Sequence, residues 1–305
     1  MTHRRALACV HLVALLFGLV GVLGELIHAS AVAITMGRAA FAAAVLALAA
    51  RLRGKAVSGA LTLPRAGALA FSGCLMAAHW VTFFVAVKVG GIAIATLGFA
   101  SFPAFITLLE SLLFRERVGA AEWLLLGLVT AGLVLVTPSL DLADSGTAGL
   151  AWGVASGLAF ALLALANRRA AAGMDPLQVA CGQNLVVALV TLPFAARELP
   201  ALPAASWFWL AVLGVFCTGL AHSLFVTALG WLKARTVGMV VALEPVYAIA
   251  FAWACLGQQP GARTLLGAAV IVAAIVAAGL RAPAPARPRH AAAEGVSGHE
   301  SGHSQ

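Results

Sequence analysis

A carboxylate, a proline and a phenol stand together in an apolar stretch near the C-terminal end of the sequence. Pro245 follows Glu244 directly, and Tyr247, the single tyrosine of the chain, lies three residues beyond Glu244. Residues three apart share a helical face, and a proline removes a backbone hydrogen bond and exposes a carbonyl oxygen. This set is suited to binding a cationic group or to carrying a proton. The alternative is a neutral glutamate that is hydrogen-bonded to a neighbouring helix.

Two histidines mark a segment that occurs twice. Residues 78–118 and 221–260 both open with Ala-His in an apolar run, pass through a short turn, and enter a second apolar run with a proline in its middle. His79 and His222 lie 143 residues apart, which indicates an internal duplication. Their matched positions make substrate contact or proton exchange a candidate role, since histidine titrates near neutral pH. Packing is the alternative, and no metal site is expected because no cysteine or carboxylate accompanies them at ligand spacing.

The remaining candidates are polar residues and prolines inside apolar runs. Arg38 could bind a substrate carboxylate, but we favour snorkelling to the surface or pairing with an acid such as Glu25. Asn184 could line a cavity or hold two helices together. Pro103 and Pro245, 142 residues apart, are candidate hinges, with static kinks as the alternative.

The amino-acid composition indicates which secondary-structure elements carry these residues. The chain is 62% hydrophobic and 10% charged, whereas a soluble domain is about 25% charged. The apolar residues fall into runs of roughly 20, the length that a transmembrane helix requires. There are ten such runs: 6–26, 31–50, 66–87, 91–114, 121–136, 148–165, 177–195, 207–229, 236–256 and 265–280.

The basic residues predict how these runs are oriented. With the N-terminus in the cytoplasm and a reversal at each run, 15 of the 19 Lys and Arg residues are cytoplasmic, and Lys88, Arg197 and Arg263 are outside. This distribution follows the positive-inside rule. It predicts a multi-pass protein of the bacterial inner membrane with both termini in the cytoplasm. It also accounts for the net charge of +8 without a nucleic-acid partner.

Ten spans divide into five and five, and an odd number in each half inverts the second half relative to the first. Inverted repeats are typical of secondary transporters, whose substrate site lies near the midplane between the halves. We therefore predict an all-α membrane protein of ten transmembrane helices in two inverted five-helix repeats, residues 1–140 and 147–281. Residues 282–305 are expected to form a disordered cytoplasmic tail. We expect a monomer or homodimer without a cofactor.

Three motifs carry a resemblance to a known family: HWVTFFVAVKVGG at 79–91, FASFPAFITLLESLLFRERV at 99–118 and ALEPVYAIAFAWACLGQQP at 242–260. The chain resembles the EamA-type transporters of the drug/metabolite transporter superfamily over essentially all of residues 6–280. The resemblance implies two inverted five-helix bundles around a central cavity and export of amino acids or other small metabolites. The family's last motif usually ends in Gly-Glu, whereas Gln258 follows Gly257 here.

The function that we predict is secondary-active transport of a small molecule across the lipid bilayer by alternating access. The sequence contains no G-x-x-x-x-G-K-[ST] motif for ATP, so the expected drive is the substrate gradient or an ion. H+ is the first candidate for that ion, and Glu244 is its expected carrier. Two alternatives stay open. An intramembrane hydrolase could use Ser156 or Ser223 with the histidines, although no nucleophile-elbow motif is present. A structural membrane protein that transports nothing is the other.

Overall fold

The computed structural model describes residues 2–54, 62–114, 119–139, 141–170, 174–229, 231–232, 234–241 and 243–281. Within these ranges the chain is helical and contains no strand. The α-helices are α1 (His3–Leu26), α2 (Ala31–Leu52), α3 (Leu63–Phe99), α4 (Phe102–Phe114), α5 (Ala120–Val136), α6 (Ser145–Ala170), α7 (Pro176–Ala195), α8 (Ala204–Gly214), α9 (Ala221–Leu229), α10 (Ala234–Val241), α11 (Glu244–Leu256) and α12 (Ala262–Arg281). A 3-10 turn covers Leu199–Ala201, and a π-helical segment, Val215–Leu220, joins α8 to α9.

Helix length confirms the prediction of an all-helical membrane protein. Six helical segments among the described residues are long and apolar enough to cross a membrane, and four further apolar helices have 10–17 residues. Length alone does not yield ten spans, because the apolar helices of the fifth and tenth runs are short and the fourth and ninth runs are each divided. The fourth run consists of the end of α3 and the whole of α4, and the ninth consists of α10 and α11. The predicted tail, 282–305, lies outside the described residues.

A single glycine replaces the turn that the sequence predicts between the third and fourth runs. Helix α3 continues through both runs, and Gly91 is its one non-helical residue, with φ 82° and ψ 167°. This region of conformational space is essentially restricted to glycine. Beyond the kink, the backbone N–H of Ile92 donates to Oε1 of Gln258, with 3.4 Å between the two atoms. Gly91 therefore redirects the chain within one residue, and a side chain from the second half of the sequence caps the new helical segment.

The helix contacts follow the symmetry of a duplicated unit. Helix α2 packs on α7, and α5 packs on α12, so each of these pairs joins equivalent members of the two halves. Helix α6 packs on α3 and α4; in the same way α1, its equivalent in the first half, packs on α9, α10 and α11. The contacts of α2 with α8 likewise correspond to those of α7 with α3. This exchange of roles is the contact pattern expected of two intertwined repeats.

Glycine pairs bring the backbones of facing helices close together. A Cβ atom added to Gly90 would lie 2.8 Å from the Cα of Gly149, and one added to Gly98 would lie 2.9 Å from the Cα of Gly153. Both pairs join α3 to α6. Small residues at such crossings are typical of helix packing in lipid, where van der Waals contact replaces the hydrophobic driving force.

The main apolar core lies between α1, α2, α3, α8 and α11. Phe84 is fully buried and lies against Gly24 of α1, where an added Cβ would come within 2.7 Å of the ring. Ile34, Leu210 and Leu213 are also fully buried in this cluster. The core therefore fixes α2 and α3 against α8 beside the polar residues described next.

Replacement of Gly91 by alanine should destabilise the protein by about 1–3 kcal/mol, because a Cβ is incompatible with its backbone conformation. Thermal unfolding of the detergent-solubilised protein measures this change. Gly127→Ala is the matched control, since Gly127 lies in helix α5 with nothing within 4 Å of an added Cβ. Equal midpoints for the two variants would contradict the requirement for glycine at the kink.

Candidate substrate site

A buried arginine lies in the interior of the helix bundle. Arg38, in the middle of α2, is 6% exposed, and its Nε donates to Oγ1 of Thr218, 2.7 Å away. Its guanidinium carbon lies 3.9 Å from the centroid of the Trp80 ring on α3. Arg38 therefore joins α2 to α3 and to the π-helical segment.

The expectation that Arg38 snorkels or pairs with Glu25 is wrong. The side chain is directed inward, and no described carboxylate forms an ion pair with it. Insertion of arginine at the centre of a membrane helix costs about 2.5–3.5 kcal/mol. A cation–π contact contributes about 0.5–2 kcal/mol, and a hydrogen bond from a charged donor contributes about 1.5–3 kcal/mol. These terms are similar in size, which explains why the guanidinium can be held here without an acidic partner.

The π-helical segment positions the acceptor for Arg38. Thr218 lies within Val215–Leu220, and its Oγ1 donates to the backbone oxygen of Leu213, five residues earlier, at 3.1 Å. A π-turn widens the helix locally and leaves such carbonyls to side-chain donors. Because its own proton is used in this bond, Oγ1 of Thr218 presents its lone pairs to Arg38. Nothing in the sequence around Thr218 distinguished it as a site residue.

Glu244 begins the second half of a broken helix. Helix α10 ends at Val241, and α11 starts at Glu244, with Pro245 in its second position. A proline costs little there, because the first backbone N–H groups of a helix have no intrahelical partner. Phe102 and Pro103 begin α4 in the same way. The prolines therefore start new helices. The alternative given from the sequence, a static kink within a continuous helix, is wrong, and their role as hinges stays a prediction.

The Glu244 carboxyl group is partly buried and interacts electrostatically with Arg38. The charge of Arg38 also acts on His79 and on Cys217. Arg38 thus interacts electrostatically with both Glu244 and His79 in the interior. Cys217 precedes Thr218 in the π-helical segment and is 1% exposed.

Tyr247 has a partner that the sequence analysis did not identify. Its hydroxyl oxygen lies 3.2 Å from Nδ1 of His11 on α1. Its Cβ packs against Gly18, where a side chain would come within 2.7 Å. Tyr247 therefore fixes α11 to α1 with both its backbone and its hydroxyl group.

His79 is buried, and Ser156 of α6 holds it on both sides. Nδ1 of His79 lies 2.8 Å from Oγ of Ser156, and the same Oγ donates to the backbone oxygen of His79 at 2.9 Å. Because Ser156 has one hydroxyl hydrogen, Nδ1 must be the donor in the first bond. The imidazole therefore carries a hydrogen on Nδ1. This serine is not activated by a base, which argues against the hydrolase alternative.

An aromatic cluster surrounds the imidazole of His79. The ring of Phe99 is stacked on it with 5.0 Å between the centroids, and Phe160 lies 5.1 Å away. Phe102, the first residue of α4, packs on both Phe99 and Phe160. The cluster holds His79 at the break between α3 and α4.

His222 does not share the surroundings of His79. It lies on α9 with an exposed side chain, whereas His79 is 8% exposed. The internal duplication therefore predicts where His222 lies in the chain but not what it contacts. Its role in substrate or proton binding stays a prediction.

Gln183 and Asn184 are both buried in α7 but differ in how they are bonded. Nε2 of Gln183 donates to Oγ of Ser72 at 2.9 Å and to Oδ1 of Asn167 at 2.6 Å, which joins α7 to α3 and α6. Asn184 is 4% exposed, and its Nδ2 donates to the backbone oxygen of Ala180. Its Oδ1 is buried without a partner among the described residues. Gln183 thus holds helices together, whereas Asn184 retains one free acceptor.

Several transporters are similar to this chain over part of their length. It is 28% identical over 205 residues to the threonine/homoserine exporter RhtA of Escherichia coli (strain K12), an alignment that covers 63% of this chain and 68% of RhtA. It is 23% identical over 205 residues to the uncharacterized transporter YxxF of Bacillus subtilis (strain 168), with 66% of each chain covered. It is 26% identical over 198 residues to an uncharacterized transporter of Archaeoglobus fulgidus, with 65% and 70% covered. The alignments thus span about two thirds of these relatives.

A solved structure shares the fold. One crystal structure of a protein superimposes with a TM-score of 0.65 at 20% sequence identity, over 90% of this chain and 98% of that chain.

A family model matches the chain twice, and the two matches follow the duplication seen in the helix contacts. The model of the EamA-like transporter family matches residues 4–137 and again residues 147–280. The resemblance noted from the sequence motifs is confirmed. The chain therefore belongs to the EamA-like transporter family and is a multi-pass membrane transporter, not an enzyme.

Proposed function

We propose that the protein is a secondary-active exporter of the bacterial inner membrane that moves amino acids or other small metabolites by alternating access. The observation that carries this proposal is the group of Arg38, Glu244 and His79 in the interior, beside two broken helices. Charged groups inside a transmembrane bundle mark substrate and ion pathways. The similarity to RhtA, a threonine/homoserine exporter, supports the direction of transport and the size of the substrate.

The proposed architecture has ten spans in two repeats, residues 1–140 and 147–281. In this scheme the fourth span is the end of α3 plus α4, and the ninth is α10 plus α11. Each span is interrupted just before a helix that has a proline in its second position. The prolines are Pro103 in α4 and Pro245 in α11. Discontinuous spans in equivalent places of two repeats are how many transporters build a midplane site.

Pro103 and Pro245 are the proposed hinges of the transport cycle. At the first break, the backbone N–H groups of Ala104 and Phe105 both donate to the oxygen of Ser101, so α4 begins with a well-bonded first turn. At the second break, the N–H of Tyr247 donates to the oxygen of Leu243. Rotation of each half-helix about its break needs no loss of these bonds. The two halves can then rock about the central site and expose it to each face in turn.

H+ is the proposed coupling ion, and Glu244 is its proposed carrier. Glu244 is partly accessible, and Arg38 interacts with it electrostatically. A carboxyl group in this position can take up or release a proton when the cavity opens. The change in its charge then changes its interaction with Arg38. Proton binding would thereby be coupled to the state of the substrate site.

The substrates can be found by growth of an overexpressing strain on toxic amino acids and metabolite analogues. Compounds that the protein exports are expected to become less toxic. A strain that carries the Pro103→Ala and Pro245→Ala variant is a useful comparison, because its protein retains the site but changes both helix breaks. Equal protection by empty vector and transporter across the whole panel would contradict export.

Glu244→Gln should abolish uptake driven by a pH gradient in reconstituted vesicles, because the amide cannot carry a proton. Exchange of substrate for substrate should continue, since this reaction needs no net proton movement. Glu122→Gln is the matched control: Glu122 is exposed and caps the backbone N–H of Gly119 at the start of α5, away from Arg38. pH-driven flux that is unchanged in Glu244→Gln would show that Glu244 is not the carrier.

The proposed orientation predicts which engineered cysteines react in intact cells. In a variant without the five native cysteines, Asp141→Cys should react with a membrane-impermeant maleimide from outside, because the loop after α5 is external. Arg53→Cys, at the end of α2, should react only after the cells are permeabilised. Both positions are exposed, so access depends on the side of the membrane. The reverse pattern of labelling would contradict cytoplasmic termini.

A further inference from the structure

We propose that Arg38 binds the carboxylate group of the transported substrate, and that Thr218 and Trp80 are positioning residues that hold the guanidinium for it. The transporter would therefore select small molecules that carry a free carboxylate. This inference rests on the proposed transport function and names the chemical group that the same site recognises.

Only one hydrogen-bond donor of Arg38 has an acceptor in the part of the chain that the structure describes. A guanidinium has five N–H donors in a fixed plane. The Nε donor is bonded to Thr218 at 2.7 Å, and among the described residues no acceptor meets the two Nη groups. Arg38 is 6% exposed. Among the described residues the four Nη hydrogens have no acceptor, and a carboxylate can accept from two of them at once, because it matches a guanidinium in a bidentate manner.

The neighbours of Arg38 fix its plane but do not neutralise its charge. The Trp80 ring, 3.9 Å from the guanidinium carbon, covers one face, and Thr218 fixes the Nε edge. Together they leave the edge formed by the two Nη atoms as the part available to a ligand. Glu244 interacts with Arg38 electrostatically, and none of the hydrogen bonds found among the described residues joins the two side chains. A planar anion can approach there and meet two parallel N–H donors.

Comparison between the repeats distinguishes Arg38 from a residue that only joins helices. The sequence pairs Gly37-Arg38 with Gly182-Gln183 in the second and seventh apolar runs. Gln183 uses both hydrogens of Nε2, toward Ser72 and Asn167, and holds three helices together. Within the described ranges Arg38 makes one such bond, to Thr218. A side chain that served only to join helices would be satisfied in the way that Gln183 is.

The test measures binding of matched acids and amides to the full-length protein in detergent. The probes are the proteinogenic L-amino acids and their carboxamides, which differ in the carboxylate alone. We expect several acids, but not their amides, to raise the unfolding midpoint. Arg38→Gln should weaken binding of these acids at least about tenfold, as expected for the loss of a bidentate contact. Arg38→Lys should recover part of the loss, since it keeps the charge but not the planar fork.

Substitutions at Thr218 test the positioning role and do not depend on Arg38→Gln folding well. Thr218→Val keeps the shape but removes the acceptor, so the acid-to-amide preference should fall; Thr218→Ser should retain it. Gln183→Ala is the control, and it should lower the unfolding midpoint without changing that preference. Equal binding of acids and amides to the unsubstituted protein, or an unchanged preference in Arg38→Gln and Thr218→Val, would overturn the inference.

The same measurements distinguish this inference from the proposed function. Flux of amides or of other neutral compounds in reconstituted vesicles, with no effect of Arg38→Gln, would leave transport in place and overturn the carboxylate site. Acid binding that is lost in Arg38→Gln, without any flux in vesicles, would support the site and overturn transport. Failure of every acid in the panel to bind would also overturn the carboxylate site.

Discussion

The backbone polar groups of this chain must be satisfied within the protein, because the hydrocarbon of a bilayer offers no water to bond them. This constraint makes every described segment helical and limits how a helix can be interrupted. The kink at Gly91 is tolerated because Gln258 accepts from the next backbone N–H. Pro103 and Pro245 each lie in the first turn of a helix, where backbone N–H groups have no intrahelical partner. Proline has no N–H group, so it leaves no donor unpaired there. Each interruption is thus matched by a side chain or by a residue type that compensates for it.

The same constraint explains why small residues determine the arrangement of the helices. Lipid tails are as apolar as leucine side chains, so burial alone does not select one helix partner over another. Close backbone approach does, because it multiplies van der Waals contacts. Glycine pairs permit this approach between α3 and α6, and Gly18 permits it between α1 and α11 at Tyr247. Helices α1 and α6 are equivalent members of the two repeats, so glycines of the first helix of each repeat permit this close approach.

The sequence predicted the scaffold well and the site only in part, for a physical reason. Apolar runs, the 143-residue repeat and the prolines are properties of local sequence, so the helical membrane fold and the positions of its breaks could be predicted. Contacts between distant residues could not. Thr218 lies 180 residues from Arg38, and His11 lies 236 residues from Tyr247. Without those partners, snorkelling was the better expectation for an arginine in a membrane helix, and the structure shows that it is wrong.

The two repeats have corresponding helices but different side chains at equivalent positions. This difference bears on how one site can serve both faces of a membrane. Phe102 occupies the place in α4 that Glu244 occupies in α11, and Ser156, the partner of His79, has Val13 as its counterpart 143 residues earlier. A symmetric scaffold lets the two halves exchange roles, so that open and closed ends interchange. A second arginine and a second glutamate would give each face its own site. In the proposed transport cycle, one cation and one carboxylate between the halves would instead give both faces access to the same pair.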